Sequence, residues 1–313
     1  GALISTIVFV VLMWIAVVKK TVFKIRRYFC FSEILSFIKF GVFVFSKQFF
    51  TFLTQRVDEI IIGRFLDPDI LGVYYFGKDF IQKPQSLITQ SFAQVMFPLF
   101  SRIKENAKNF ARVYNLVSKN IALVAFPIFL GIASVAHLLV PLVFGAKWLE
   151  SINVIRIFSI TGIFLVLTAN VTTSALYAIN KPNIVLNVDI ITNILYFISL
   201  FLLSGKGVIA ILCVYTAYIV YKTTALQYLI GKKLGYSIVD YFTSLKGIIF
   251  SSLLMLIFVT GVQGFMQGFP LTLRFIISVL MGVIVYISLI LILEKQAIKD
   301  ALNMVANKGV TYD

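Results

Sequence analysis

The sequence predicts an all-α, polytopic transmembrane bundle of about nine spans. Three observations carry that prediction. Of the 313 residues, 60% are hydrophobic and mean hydropathy is +0.97, more apolar surface than a soluble core of this size encloses. The apolar residues fall in stretches of about 20 residues or more, the length a helix needs to cross the hydrocarbon layer. Period-two alternation is absent over those lengths, which argues against a transmembrane barrel.

The candidate spans cover residues 2–18, 36–64, 70–98, 113–143, 152–179, 183–203, 208–230, 243–264 and 271–293. In the first, Ala2–Val18 is apolar and its lysines, Lys19 and Lys20, follow it. A signal peptide has its positive charges first, so this stretch reads as a membrane helix entered part-way, and the chain as the C-terminal part of something longer. The segment Thr21–Phe37 mixes Lys24, Arg26 and Arg27 with Val22, Phe23, Ile25, Tyr28 and Phe29. That mixture predicts a basic, amphipathic stretch along the headgroups. The second and third spans meet at Asp67-Pro68-Asp69. Later breaks fall at Lys104–Lys108, Gly145-Ala146-Lys147, Asn180-Lys181-Pro182, Ser204–Gly207, Gly231-Lys232-Lys233 and Gln267–Pro270, all rich in turn residues or charge. Pro84 and Pro127 lie inside the third and fourth spans, where each removes a backbone hydrogen bond and favours a bend.

Net charge is +15. No nucleic-acid motif or aromatic-interleaved basic platform accompanies it, so the charge reads as a topology signal. Lysine and arginine concentrate after the odd-numbered spans, as in Lys19–Arg27, Arg102–Lys119 and Lys232-Lys233, while the opposite connections hold Arg64, Lys147 and Lys206. The positive-inside rule then puts the C-terminus in the cytoplasm. Trp14 and Trp148 fall near opposite interfaces. Cys30 and Cys213 have neither metal nor disulfide spacing and read as small apolar residues. His137, the single histidine, reads as an interfacial residue near the end of the fourth span. No metal or cofactor is expected, and a histidine-based catalytic triad is nearly excluded.

The second and third spans carry charge well inside their ends, where each charged group costs on the order of 2.5–3.5 kcal/mol if it faces lipid. At helical spacing Gln48, Thr51, Gln55 and Asp58 share a stripe bordered by Lys47. Arg56 is three residues from Glu59, within pairing reach. On the third span Asp79, Lys83, Ser86, Gln90 and Gln94 form one stripe, and Lys78, Gln82, Gln85 and Thr89 the next. Two readings compete. In one, pairs such as Arg56–Glu59 and Asp79–Lys83 only hold helices together. In the other, the face lines a polar pathway: Lys47, Gln48, Gln55, Arg56, Lys78, Gln82 and Lys83 bind an anionic, hydroxyl-rich substrate, and Asp58, Glu59 and Asp79 serve as counter-ions or a proton or sodium site. Elsewhere polarity is thinner; Asp189 and Lys222 are a further potential pair.

The runs Arg56–Leu66, Leu71–Tyr74 and Phe97–Arg102, followed by Leu142–Trp148 and Ala178–Pro182, resemble the polysaccharide-exporting flippases of the multidrug/oligosaccharidyl-lipid/polysaccharide superfamily. The similarity runs in order from about Phe40 to about Asn187. It implies a two-lobed bundle around a central cavity, alternating access, and a bacterial inner-membrane flippase for undecaprenyl-diphosphate-linked glycans, without enzymatic activity. It implies a domain plan: residues 1–38 as the last helix of a truncated first lobe with a basic linker, 39–230 as the core of the second lobe, and 231–313 as two further helices and a cytoplasmic tail. Polysaccharide polymerase or export proteins are the partners it suggests. Gly63 and Gly72 are expected at close helix contacts. The alternatives are a cation antiporter of the same superfamily, against which the lysine-rich face argues, a membrane-embedded sugar polymerase or glycosyltransferase, whose catalytic loops are not evident, and a non-functional remnant.

Overall fold

The computed structural model describes residues 2–20, 38 and 52–295 of the chain. Two compact units divide it, Gly1–Leu53 and Thr54–Asp313. In the first, α1 (Ala2–Lys20) is a helix whose apolar stretch Ile4–Ile15 is exposed along its length. The amphipathic segment expected at 21–37, and Cys30, Lys47 and Gln48, lie outside the described residues.

The second unit is all helix and turn among the described residues. Helix α2 (residues 52–65) leads to α3 (Pro68–Ile103) through a two-residue break at Leu66 and Asp67. Local chemistry fixes this corner. Asp67 caps α3 by accepting from the Asp69 amide at 2.8 Å, and Pro68 supplies the fixed φ that the first helical position favours. Asn106 caps α4 (Ala107–Val143) in the same manner, accepting from the Asn109 amide at 3.0 Å. α3 and α4 continue through their prolines, Pro84 and Pro98 in one and Pro127 and Pro141 in the other.

After Gly145, at φ +84°, a 3-10 turn (Ala146–Trp148) brings the chain into α5 (Ser151–Val166). Trp148 stacks on Phe76 of α3 with ring centroids 4.3 Å apart, locking that turn to the bundle. The span expected over 152–179 is not one uninterrupted α-helix. A π-helical segment (Leu167–Thr172) separates α5 from α6 (Thr173–Ala178). Asn180, at φ 58°, turns the chain into α7 (Pro182–Leu203), a left-handed position that asparagine tolerates. A second 3-10 turn (Ser204–Lys206) leads to α8 (Val208–Leu234). α8 runs straight through the break expected at Gly231-Lys232-Lys233 and stops at Gly235 in the left-handed conformation. The reason is a backbone fold-back: the Tyr236 amide donates to the Gly231 carbonyl at 3.1 Å, and a Cβ on Gly231 would sit 2.7 Å from the Tyr236 carbonyl oxygen. The short α9 (Ile238–Ser244), opened by a Ser237–Asp240 capping box, precedes α10 (Lys246–Phe265) and α11 (Leu271–Leu293).

α4 and α5 are the centre of the packing: α5 touches α3, α4 and α8, while α10 and α11 pair with each other and lie on α4. Small residues set the closest approaches. A Cβ on Gly77 would stand 2.6 Å from Val154 of α5, and one on Gly162 would stand 2.7 Å from the Phe129 ring of α4. Gly72, expected at such a contact, has nothing within 4 Å of the place its Cβ would take, so the close approach on α3 belongs to Gly77 instead. The outward faces of α7, α10 and α11 are apolar: Ile190, Ile194 and Phe201, then Phe250 and Ile257, then Val283, Ile284 and Ile287 are all exposed. That distribution suits a hydrocarbon surround, not water.

Among the described residues five helices are long and apolar enough to cross a membrane: α4, α7 with its following turn, α8, α10 and α11. The chain is a multi-pass membrane protein. The expected nine spans are not confirmed. The 36–64 stretch lies partly outside the described residues, α3 carries charge at mid-helix, and the apolar Ser151–Val166 is short once the π-helical segment is set apart.

Candidate functional site

The charged groups of α2 and α3 meet in one buried network. Asp58 is fully buried and Lys78 is 3% exposed. The Lys78 ammonium donates to Asp58 Oδ2 at 2.7 Å and Oδ1 at 2.9 Å, to Glu59 Oε1 at 3.0 Å, and to the Gln55 carbonyl at 2.7 Å. An ammonium has three N–H bonds, and Asp58, Glu59 and the Gln55 carbonyl take them. Tyr74, one helical turn before Lys78, donates its hydroxyl to Asp58 Oδ2 at 2.5 Å. Glu59 also accepts from Arg56, at 2.7 and 2.9 Å. Two cations and two carboxylates leave the cluster neutral. The Tyr74 and Tyr215 rings stand 5.8 Å from the Lys78 ammonium and screen it from water.

Lys83 has a different environment. It is 72% exposed and pairs with Asp79, itself 41% exposed, at 2.8 Å. Gln82, Ser86 and Gln90 are exposed on the same helix. α3 therefore carries two polar surfaces: a buried one around Lys78 and an exposed stripe through Asp79, Gln82 and Lys83. The adjoining stripes do not share one environment, and in this arrangement Lys78 has no donor to spare for a ligand. The Gln55 side chain is exposed, and only its backbone carbonyl belongs to the network. The anticipated pairs Arg56–Glu59, Asp79–Lys83 and Asp189–Lys222 all form, the last at 2.7 Å.

A second polar region escapes sequence reasoning. Tyr114 of α4 donates to Gln227 of α8 at 2.7 Å. Its hydroxyl also lies 3.0 Å from that of Thr172, which accepts from Gln227 Nε2 at 3.0 Å. All three residues are buried. Thr168 meets Thr223 at 2.5 Å and Thr161 meets Thr216 at 3.0 Å. Each of these contacts of α5 and the π-helical segment with α8, the Thr172–Gln227 one included, joins residues 55 apart. A constant offset means that the two segments run parallel in register, and the uncharged seam zips them. Beside it, a cavity of about 220 Å³ is lined by Thr168, Thr173, Tyr177, Asp189, Lys222 and Thr223. Gln227, the amide of α8, is a sequence signal for this seam. Cys213 is a free, exposed thiol.

Residues 1–153 match the model of a family described as polysaccharide biosynthesis protein. The teichuronic acid biosynthesis protein TuaB of Bacillus subtilis is 28% identical over 257 residues, 81% of this chain and 53% of that protein. The lipopolysaccharide biosynthesis protein WzxC of Escherichia coli is 23% identical over 145 residues, 46% of this chain and 29% of that one. The chain is thus similar, over its first 153 residues, to a polysaccharide biosynthesis family and, over longer or shorter stretches, to polysaccharide biosynthesis proteins of two bacteria. Among solved structures, a lipid II flippase, MurJ, in an inward closed conformation is similar with TM-score 0.70 and 18% identity, covering 92% of this chain and 60% of that one. That likeness concerns the fold. The chain spans about half the length of TuaB and under a third of WzxC. The charged α2–α3 network falls within the stretch that matches the polysaccharide biosynthesis family model.

Proposed function

We propose that this chain is part of a flippase that moves lipid-linked oligosaccharide units across the bacterial cytoplasmic membrane for surface polysaccharide synthesis. The observation that carries the reading is the family match over residues 1–153, the stretch that holds the charged helices α2 and α3. In this reading the chain is a transporter and not an enzyme. Its substrate is an undecaprenyl-diphosphate-linked glycan, and its C-terminus is cytoplasmic, as the lysine and arginine distribution suggests.

The exposed stripe of α3 supplies the substrate-facing groups: Lys83 as a point charge for phosphate, and Gln82 as a partner for sugar hydroxyls, joined by Gln55 of α2. A diphosphate head needs cationic, wet surroundings to cross a low-dielectric layer, because apolar contact does not offset its desolvation. Asp79 tempers the charge of Lys83 between substrates. The Asp58–Glu59–Lys78–Arg56 network has the other role, coupling: two carboxylates and two cations whose pairing changes if a proton or sodium ion enters. Deletion of the corresponding gene in the source bacterium tests the proposal. Loss of surface glycan with lipid-linked intermediate retained on the cytoplasmic leaflet is the expected result. Unchanged surface glycan would overturn it.

A further inference from the structure

A cationic cluster sits at the α4–α5 end of the bundle, apart from the α2–α3 network. It draws one residue from each of three helices. Arg156 of α5 donates from Nε to the Ala133 carbonyl of α4 at 3.4 Å, and its Nη2 lies 3.5 Å from His137 Nδ1, one turn further along α4. The third member comes from α11, whose antiparallel register on α4 is fixed by three contacts. Lys119 pairs with Glu294 at 2.9 Å. Tyr286 donates to the Leu123 carbonyl at 2.8 Å. Gln263 of α10 bridges the Ser134 carbonyl and the Ser278 hydroxyl, at 3.5 and 3.2 Å. One turn onward along both helices, that register sets Arg274 level with His137, and Arg274 and Arg156 both act electrostatically on the imidazole.

Charge balance is missing here. Among the described residues neither Arg156 nor Arg274 takes part in an ion pair, whereas the partly buried Lys119 and Lys222 and the buried Lys78 all do. Glu150, just before α5, forms no ion pair with Arg156. Arg274 Nε is buried with no acceptor. The three residues lie six, five and three positions from the ends of their helices, roughly 5–9 Å at 1.5 Å per residue. On α4 and α11, which are long and apolar enough to span the bilayer, that is the depth of lipid headgroups, and Arg156 of α5 packs beside them. Two guanidinium forks and a ring nitrogen around an unpaired N–H match the oxygens of a phosphate.

We propose that His137, Arg156 and Arg274 form a phosphate-binding site at headgroup depth. The ligand is a phosphoryl group with at least one free negative oxygen, from an anionic lipid or from soluble diphosphate. The inference stands independently of the transport reading.

The test is native mass spectrometry of the full chain in detergent, titrated with dioleoyl phosphatidylglycerol and with dioleoylglycerol, which has the same chains and no phosphate. Wild type should prefer the phospholipid. Arg156→Gln, at an exposed position that packing does not need, should weaken that binding about tenfold, and Arg156→Gln/Arg274→Gln further. Arg156→Lys should retain part of it, since charge survives while the fork is lost. Displacement of the lipid by inorganic diphosphate assigns the site to phosphate as such; failure to displace it assigns the site to a lipid headgroup. Equal phosphatidylglycerol binding by wild type and Arg156→Gln, with matching circular dichroism, would overturn the proposal.

Discussion

The α2–α3 network and the α5–α8 seam bury polar groups in two different ways. The network uses full charges, closed on themselves until every Lys78 proton has an acceptor. The seam uses hydroxyls and one amide, each bond modest, repeated along two parallel helices. A charged cluster is close to neutral in its net contribution when intact and strongly destabilising when one member is lost. A hydroxyl seam degrades gradually, because each bond nets about 0.5–1.5 kcal/mol. The first is therefore suited to a switch, with two arrangements separated by the position of one ion. The second is suited to a rigid joint.

The largest effect should come from breaking the network at its centre. Lys78→Met leaves Asp58 fully buried with no cation against it, and by analogy with other broken buried pairs the cost is about 3–5 kcal/mol. Denaturation of the purified protein in mixed micelles, followed by circular dichroism, reads it. Lys78→Met/Asp58→Asn should recover part of the loss. A Lys78→Met protein as stable as wild type would mean that the network is open to water.

Tyr114→Phe comes next. It deletes one hydroxyl from the Tyr114–Thr172–Gln227 triangle and leaves the Gln227 carbonyl oxygen without its donor, at about 1–3 kcal/mol. Substituting both partners of a single rung should do less. In Thr161→Val/Thr216→Val the two hydroxyls leave together and shape is kept, so the change should be nearly neutral. A double variant as damaged as Tyr114→Phe would make the seam cooperative and erase the contrast with the network.

The two regions also differ in how much of them the sequence discloses. Arg56–Glu59 and Asp79–Lys83 are spaced three and four residues apart, and helical geometry alone brings them together. The corners at Asp67-Pro68 and at Asn180 announce themselves through cap and turn chemistry. Lys78 was visible as an intramembrane charge, but its partner Asp58 is 20 residues away across a helical hairpin, and only packing reveals that it takes the ammonium. Tyr74 was within reach of sequence reasoning, one turn from Lys78 on the same face. The seam was not. Tyr114 and Gln227 are 113 residues apart, and threonines in an apolar helix satisfy themselves on their own backbone often enough to give no signal. The π-helical segment has no periodicity of its own to detect. The same limit applies to the corner of α8: Gly231 looks like a stop, and only the fold-back of Tyr236 shows that the helix continues over it.

The smallest effect on stability, and the sharpest on function, belongs to Lys83. Its ammonium is mostly in the open and pairs with a less exposed but still accessible Asp79, so solvent screening leaves the pair little influence on folding. Lys83→Gln should leave the unfolding midpoint where it is. If the exposed stripe of α3 carries the substrate's phosphate, the same change should lower glycan export in a complementation assay normalised to protein in the membrane, and Lys83→Arg should keep part of it because the lysine acts as a point charge. Lys78→Met should lower export as well, but together with stability. The informative quantity is the ratio of the two losses: high for Lys83, near one for Lys78. Full export by Lys83→Gln at wild-type membrane levels would remove the stripe from the substrate path and leave the buried network as the only functional charge on α3.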